Sequence, residues 1–547
     1  MKEYKRVKDP IYGYIKIPVR YMNNIIDTAV FQRLRRVIQT SYSPLYSSAV
    51  HNRFVHSMGV FSLGELTVRQ LVKEVRLKLQ PFTDFSPVNL ESIGEIFKLA
   101  CLLHDVGHAP FSHTGEDFYL GKTYDYTELH NKLVEVIGDT GFARDIPKGS
   151  SKAAAAHEIV SAIVGISEFG MFFDCAEKKE FFARCITGYQ YSEETTENSI
   201  KNCFISMLNS KVTDVDKLDY LIRDAYVTGF DTVNIDFERL LSSLTVSKVG
   251  GGYKIAYYKN AISVIENVVY AHDAEKKWIQ THPVVLYEVY ILQHILGYLS
   301  EKIDNDSKRL FSLESLSKKG QRFENGLSIS LLCDDDIIYL MKNSYYSELS
   351  DEFFERRLRR HPVWKSEAEY KAFVLDLASG GRLLEKFEEA MSATATYMSK
   401  STDSWVIDKV LIDKLEKEKE TLIATDMDPE TKKVQLEKKE LILKVVHSLE
   451  SYADEKNIDC SFVILMVSQF DSGFGKPDFS ATNIAFQTKD GEKVAAVGNI
   501  VSAIKAKEKD RDNFFYLFYK RRDGFDIDKE EIDNQDICNR LFKDVVF

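Results

Sequence analysis

The stretch Leu102-Leu103-His104-Asp105-Val106-Gly107-His108-Ala109-Pro110-Phe111-Ser112-His113 sets three histidines and an aspartate within ten residues at the end of an apolar run. Packing a core calls for no such set. Adjacent imidazole and carboxylate donors suit a transition metal, Fe, Mn, Zn or Co. The plain alternative is a polar helix end running into a loop.

A metal would need further donors from elsewhere in the chain. Upstream, His51-Asn52-Arg53-Phe54-Val55-His56-Ser57 offers two histidines and an arginine. Downstream, Asp214-Val215-Asp216-Lys217-Leu218-Asp219-Tyr220-Leu221-Ile222-Arg223-Asp224 offers clustered acids. Donors drawn from these three stretches meet only if several helices converge on one point. Of the 12 histidines, His51, His56, His104, His108, His113, His130 and His157 all fall in one early stretch. Histidine is both a metal ligand and the acid/base that works near neutral pH, so this clustering favours a catalytic site. His130 reads as an ordinary surface or cap residue.

From about residue 20 to 300 the pattern is mainly helical. Ile93, Ile96, Phe97, Ala100, Cys101 and Leu103 recur at helical spacing and lead into His104, with Gly107 and Pro110 expected to end that helix. Further helices are expected from Ser57 to about Leu77, from about Ala153 through Val164, and from Val215 to Ala225. The last puts Asp216, Lys217, Tyr220 and Asp224 on roughly one face. Residues 406–456 are charge-rich with helical spacing, broken at Asp426-Met427-Asp428-Pro429. Then the period changes to that of strands at Phe462–Val467, Asn483–Gln487 and Phe514–Tyr519, with Asp490-Gly491 as a hairpin turn. Gly473-Phe474-Gly475-Lys476-Pro477 is no Walker loop, because proline follows the lysine. The fold class expected is mainly α, a helical core with a smaller α+β C-terminal lobe, divided at 1–300, 301–456 and 457–547.

The 547 residues contain no apolar run long enough for a membrane helix, and Met1-Lys2-Glu3-Tyr4-Lys5-Arg6 lacks a signal-peptide core, so a cytoplasmic location is expected. Seven dispersed cysteines without a C-x-x-C pair point to reduced thiols. A net charge of −11 disfavours a general nucleic-acid binder but leaves room for a local phosphate pocket.

Several of these words together resemble the HD-domain deoxynucleoside triphosphate triphosphohydrolases (dGTPase-like), most closely the branch of animal enzymes that join a SAM to an HD domain. They are Asp9-Pro10-Ile11-Tyr12-Gly13, Phe31-Gln32-Arg33-Leu34-Arg35, His51 to Ser57, His104 to His113, His157-Glu158, Asp214-Val215-Asp216-Lys217, Asp219-Tyr220 and Arg223-Asp224. The likeness covers about residues 5–240 and returns more weakly from about Asp459 to Lys520. No SAM domain is expected ahead of the HD region.

The resemblance implies that His56, His104, Asp105 and Asp216 hold the transition metal, with Mg²⁺ accompanying the triphosphate. It implies proton transfer by His108, His113 and His157, with His113 protonating the departing 5′ oxygen. Arg53 and Lys217 would grip phosphate, Tyr220 and Asp224 would recognise the sugar, and Gln39 would touch its 3′ side. It further implies an allosteric guanine-nucleotide site at Lys5, Asp27, Gln32 and Arg35. The chain departs from the family where Tyr258, Asn260 and Pro283 stand in place of basic residues, and where His272 and Gln280 fall near a substrate-pocket arginine and tyrosine. The partners implied are a dNTP, a guanine-nucleotide activator and further copies of the chain as a dimer or tetramer, with neither membrane nor nucleic acid. Competing readings are an HD-type nucleotidase or phosphodiesterase, and a non-catalytic nucleotide sensor or nucleic-acid binder.

Overall fold

The computed structural model describes residues 3–79, 87–120, 126–138, 140–148, 154–210, 213–230, 234–305, 307–343, 345–375, 381–400, 405–467, 482–488, 491–497, 514–521 and 532–547. The fold is mainly α and divides into two compact units. The first comprises residues 1–277, 298–345 and 471–507, and the second 278–297, 346–470 and 508–547.

The first unit is organised around helix α1, Arg53–Lys78. Asn52 caps it by accepting from the Val55 amide at 3.3 Å. Its first three turns are buried nearly all round, through Phe54, Met58, Val60, Phe61 and Leu63, as expected of a helix surrounded by others. Helix α2, Pro87–Leu103, packs along α1, and its last turn from Ala100 to Leu103 is buried. It ends at Leu103, sooner than the Gly107 and Pro110 signals suggest, so His104 stands just past the helix. Helix α3 is a single turn, His113–Glu116. Helix α4, Ala156–Glu168, packs on the helices Tyr126–Ile137 and Ala176–Thr187. Helix α5, Val215–Thr228, is capped by Asp214, packs on α1, and stops at Gly229 in the left-handed conformation.

Two glycines set how closely these elements approach. A Cβ at Gly59 of α1 would lie 1.8 Å from Asp219 Oδ1 of α5. A Cβ at Gly107 would lie 2.5 Å from the Ser161 amide nitrogen of α4. Both contacts bring α5 and the His104–His113 loop onto their neighbours.

One strand pair precedes the stretch read as helical and another interrupts it. β1, Tyr4–Asp9, and β2, Gly13–Pro18, form an antiparallel hairpin. β3, Leu244–Val249, and β4, Gly252–Tyr258, form another. β5, Asn483–Thr488, and β6, Gly491–Ala496, pair antiparallel, and β5 adds parallel to β4, which gives the sheet order β6-β5-β4-β3. The pairing Thr488↔Gly491 fits the expected hairpin, although Asp490 itself lies outside the described residues, as does the 473–477 segment.

In the second unit, strands Val463–Val467, Phe514–Tyr519 and His361–Pro362 make a three-stranded antiparallel sheet. Helices Lys409–Ala424 and Pro429–Lys456 match the charged pair, with the break where Asp426 to Pro429 placed it. Among the described residues after 457, Val463–Val467 and Phe514–Tyr519 lie in this sheet and Asn483–Thr488 and Gly491–Ala496 in the other. Strand propensity is local, whereas the partner of a strand is set by distant chain. No helix among the described residues is long and apolar enough to cross a membrane.

Gly59→Ala forces the Asp219 carboxylate away from α1. It is expected to cost about 1–3 kcal/mol by overpacking, seen as a lowered midpoint of thermal unfolding. Gly170→Ala, where an added Cβ meets nothing within 4 Å, is the control. Equal midpoints for the two variants would contradict this packing.

Candidate metal centre and active site

His56 comes from the first turn of α1, His104 and Asp105 from the turn after α2, and Asp216 from the first turn of α5. The expected four donors do converge. His56 Nε2 lies 3.2 Å from His104 Nε2, 2.9 Å from Asp216 Oδ1 and 3.6 Å from Asp105 Oδ2. His104 Nε2 lies 3.5 Å from Asp105 Oδ1 and 3.5 Å from Asp216 Oδ1.

The far sides of the rings fix which atoms face inward. His56 Nδ1 contacts Asp219 Oδ2 at 2.7 Å, and His104 Nδ1 contacts the Cys101 carbonyl at 3.0 Å. Both partners only accept, so each Nδ1 carries a hydrogen and each Nε2 turns a lone pair toward the other. Two buried lone pairs and two carboxylates aimed at one point need a cation between them. With metal–ligand bonds of about 2.1 Å, the edges of a tetrahedron or octahedron are about 3.4 or 3.0 Å, and the spacings here match. Without a metal, burial lowers the His56 pKa but hydrogen bonds to Asp216 and Asp219 outweigh it and push it up to about 10, so a proton on Nε2 answers the same negative charge that a divalent cation would. These residues therefore fit a divalent transition metal, and the mixed nitrogen and oxygen donors suit Fe, Mn, Zn or Co.

A further layer holds the donors. Arg223 grips Asp219 through Nε at 2.9 Å and Nη2 at 3.0 Å, and its Nη1 reaches Asp9 Oδ2 at 3.2 Å. Asp9 Oδ1 in turn accepts from the Ile11 and Tyr12 amides at 2.8 and 3.0 Å. The Asp9 to Gly13 word is thus the outer end of a chain that orients His56.

Two expected phosphate ligands sit otherwise. Arg53 is buried, donating from Nη1 to Asp105 Oδ2 at 2.7 Å and from Nε to Ser112 Oγ at 2.8 Å, so it clamps the Asp105 carboxylate. Lys217 Nζ turns back onto the Ser210 carbonyl at 2.6 Å and Asp214 Oδ2 at 2.7 Å. In both cases a carboxylate close in the chain or the fold captures the cation.

Beside the four donors lies the imidazole group. His108 and His157 stack at 4.2 Å between centroids, and His113 stands 5.0 and 5.1 Å from them. His108 Nε2 is 3.9 Å from Asp105 Oδ1, which joins the two clusters. Glu116, which the sequence reading passed over, bridges His157 Nδ1 at 3.0 Å and His113 Nδ1 at 3.1 Å. Its only sequence signal is its place three residues after His113. Burial would lower the His157 pKa, but Glu116 outweighs it and raises it to about 9. His108 is driven well down by burial, then by Arg53 and His157. The cluster thus pairs a charged imidazole with a neutral one, while His113 has a side chain 67% exposed at the mouth.

On the remaining side, Asp224 Oδ1 lies 2.8 Å from His51 Nε2, both buried. The Gln39 amide donates to the His51 carbonyl at 3.0 Å, so Gln39, His51 and Asp224 adjoin. Tyr220 shares the α5 face with Asp216. Burial, then Glu275 and Asp216, hold its phenol well above the usual value, so it stays a neutral donor. His130, expected at the surface, is buried against Tyr189 Oη at 2.8 Å. In the N-terminal segment, Lys5 pairs with Asp27 at 3.7 Å, while Arg35 donates to Gln32 Oε1 at 2.9 Å and lies 3.6 Å over the Phe54 ring.

No family model matches the chain. Among curated proteins, it is 30% identical over 246 residues to the deoxynucleoside triphosphate triphosphohydrolase SAMHD1 homolog of Dictyostelium discoideum, covering 44% of this chain and 39% of that protein. It is 25% identical over 317 residues to SAMHD1 of Danio rerio, covering 57% and 48%. Over about half its length the chain is similar to these two triphosphohydrolases. It is also 28% identical over 305 residues to the uncharacterized protein YwfO of Bacillus subtilis, covering 54% of this chain and 56% of that one. The chain spans about half the length of most of the curated relatives it matches. A solved structure of a hypothetical protein from Aquifex aeolicus has a TM-score of 0.52 at 18% identity, over 99% of this chain and all of that one, and shows the shared fold.

Asp219→Asn is expected to weaken metal retention about 10–100-fold, since the partner that orients His56 is lost. Metal content after dialysis against graded chelator checks it, and wild-type retention would contradict the role given to Asp219. Glu116→Gln should alter stability with a definite sign. His157 has a folded pKa of about 9 against an ordinary 6.5, so its pairing stabilises fully below pH 6.5 and fades as pH rises through 9. Urea midpoints of the wild type should fall over that window relative to Glu116→Gln; parallel curves would contradict the ion pair.

Proposed function

We propose that this chain is a metal-dependent dNTP triphosphohydrolase, converting a dNTP and water to a deoxynucleoside and inorganic triphosphate. The observation that carries this reading is the convergence of His56, His104, Asp105 and Asp216 beside His108, His113, His157 and Glu116. A pure sensor needs no such proton-handling group. The named dNTPases among the relatives support the same reading.

His56, His104, Asp105 and Asp216 would hold the metal, which when bound supplies Lewis acidity toward water and the α-phosphoryl oxygens. Arg53 keeps Asp105 ionised and in place, and Asp219 does the same for the His56 tautomer. Water attacks the α-phosphorus, the bond from phosphorus to the 5′ oxygen breaks, and that oxygen takes a proton. His113, at the mouth and tied to His157 through Glu116, is the donor in this reading. His157 supplies the standing positive charge beside the triphosphate, whose remaining charge Mg²⁺ offsets. Asp224, held by His51, accepts from the 3′-hydroxyl, with Gln39 alongside, and Tyr220 closes the space where a 2′-hydroxyl would sit. For Lys217 to reach phosphate it must leave Asp214, a rotation of its own side chain. Lys5, Asp27, Gln32 and Arg35 would bind a guanine nucleotide as activator, in a homo-oligomer.

Incubating the protein with each dNTP, alone and with GTP, in Mg²⁺ plus Mn²⁺ should give deoxynucleoside and triphosphate in equal amounts, resolved by anion-exchange chromatography. Higher turnover of the other dNTPs with GTP present is the expected sign of the activator site. Monophosphate with pyrophosphate, or stepwise release of phosphate, would replace this reading with a nucleotidase or phosphodiesterase.

A further inference from the structure

The loop that carries His108 and His113 holds its shape against its own backbone preferences. Phe111 and Ser112 have φ of 57° and 55°, two successive side-chain-bearing residues in a region that favours glycine. Such a conformation persists only where the surroundings over-determine it.

Those surroundings come from one short segment far away in sequence. Asp334, the first residue of helix α6, Asp334–Met341, is buried and does not bond its own helix with its carboxylate. Its Oδ1 accepts from the Phe111 amide at 2.7 Å and its Oδ2 from the Ile38 amide at 2.9 Å. Among the described residues no cation lies within ion-pair distance of it. A buried carboxylate that serves two amides on separate segments is costly to desolvate, and what it fixes is geometry. Ser112 Oγ donates to the Ile38 carbonyl and accepts from Arg53, closing the far side of the turn.

The near side of the loop is fastened by Arg33, which donates to the Leu332 carbonyl at 2.8 Å and to the Val106 and His108 carbonyls at 2.9 Å each. Leu332, through Arg33, and Asp334 thus brace the loop on both sides of His108 and ahead of His113. They brace it to the 33–38 segment, which also carries Arg35.

We propose that Asp334 is a positioning residue for the reaction, holding the Phe111–Ser112 turn so that His113 stays aligned with His108, His157 and the four metal donors. The proposal rests on the dNTP triphosphohydrolase reading for its kinetic consequence, while its structural part stands on Phe111 and Ile38 alone. Misplacing a catalytic group by about 1 Å can cost on the order of 100-fold in rate.

The test uses Asp334→Asn, which is isosteric and keeps one acceptor, and Asp334→Ala, which keeps none. Asp335→Ala, removing an exposed carboxylate that pairs with Arg36 at 3.0 Å, is the control. The expected result for Asp334→Asn is a fall in kcat of about 100-fold with KM for the dNTP and bound metal unchanged, and faster amide hydrogen exchange over residues 109–115. An undiminished kcat with accelerated exchange would overturn the proposal, and so would loss of metal in step with kcat. If the wild type turns over no dNTP, the functional reading fails first. Exchange then decides alone, with acceleration supporting the role of Asp334 and wild-type protection at Phe111 refuting it.

Discussion

The first unit gathers a concentration of negative charge that the basic side chains beside it only partly answer. Asp105, Asp216 and Asp219 crowd about two imidazoles whose Nε2 atoms face each other, drawn from α1, α5 and the turn after α2. Buried charge of this density is tolerated only when it is paired and hydrogen-bonded. Arg53 answers Asp105 and Arg223 answers Asp219, which leaves a residual demand at the point where His56, His104, Asp105 and Asp216 meet. A divalent metal would meet that demand, with its donors oriented before it arrives.

The same constraint explains the close packing. α5 can offer Asp216 and Asp219 to His56 only because Gly59 leaves room for the Asp219 carboxylate. The His104–His113 loop can lie against α4, where His157 sits, only because Gly107 has no side chain to strike Ser161. Glu116 then divides the imidazoles by charge: it holds His157 as a cation, while buried His108 stays neutral. Neighbouring groups with pKa values driven apart are what acid–base chemistry near neutral pH requires.

Much of this was legible in the chain. That the stretches carrying His56, His104, Asp105 and Asp216 come together was expected from the histidine clustering, and the resemblance to the HD-domain dNTPases singled out Asp216 among the acids of 214–224. The helices that carry them follow from apolar periodicity and from caps such as Asn52 and Asp214. Less legible were partners chosen by the fold. Arg53 and Lys217 read as phosphate ligands through the resemblance; in the fold they pair with Asp105 and Asp214, each at 2.7 Å. Glu116 and Asp219 look like ordinary helical acids until α3 and α5 turn them inward. Strand β5 was visible as a strand, but nothing local in Asn483–Thr488 says that it joins β4 across more than two hundred residues of chain.

The central claim is that the four residues form one metal centre. X-ray absorption at the metal edge of the purified protein tests it most directly. The expected result is one divalent metal per chain with nitrogen and oxygen neighbours at about 2.0–2.2 Å, two of them imidazoles, and loss of that signature in Asp216→Ala. Sulfur neighbours, a three-imidazole shell that survives Asp216→Ala and is lost on changing His108 or His157, or no stoichiometric metal at all, would contradict it.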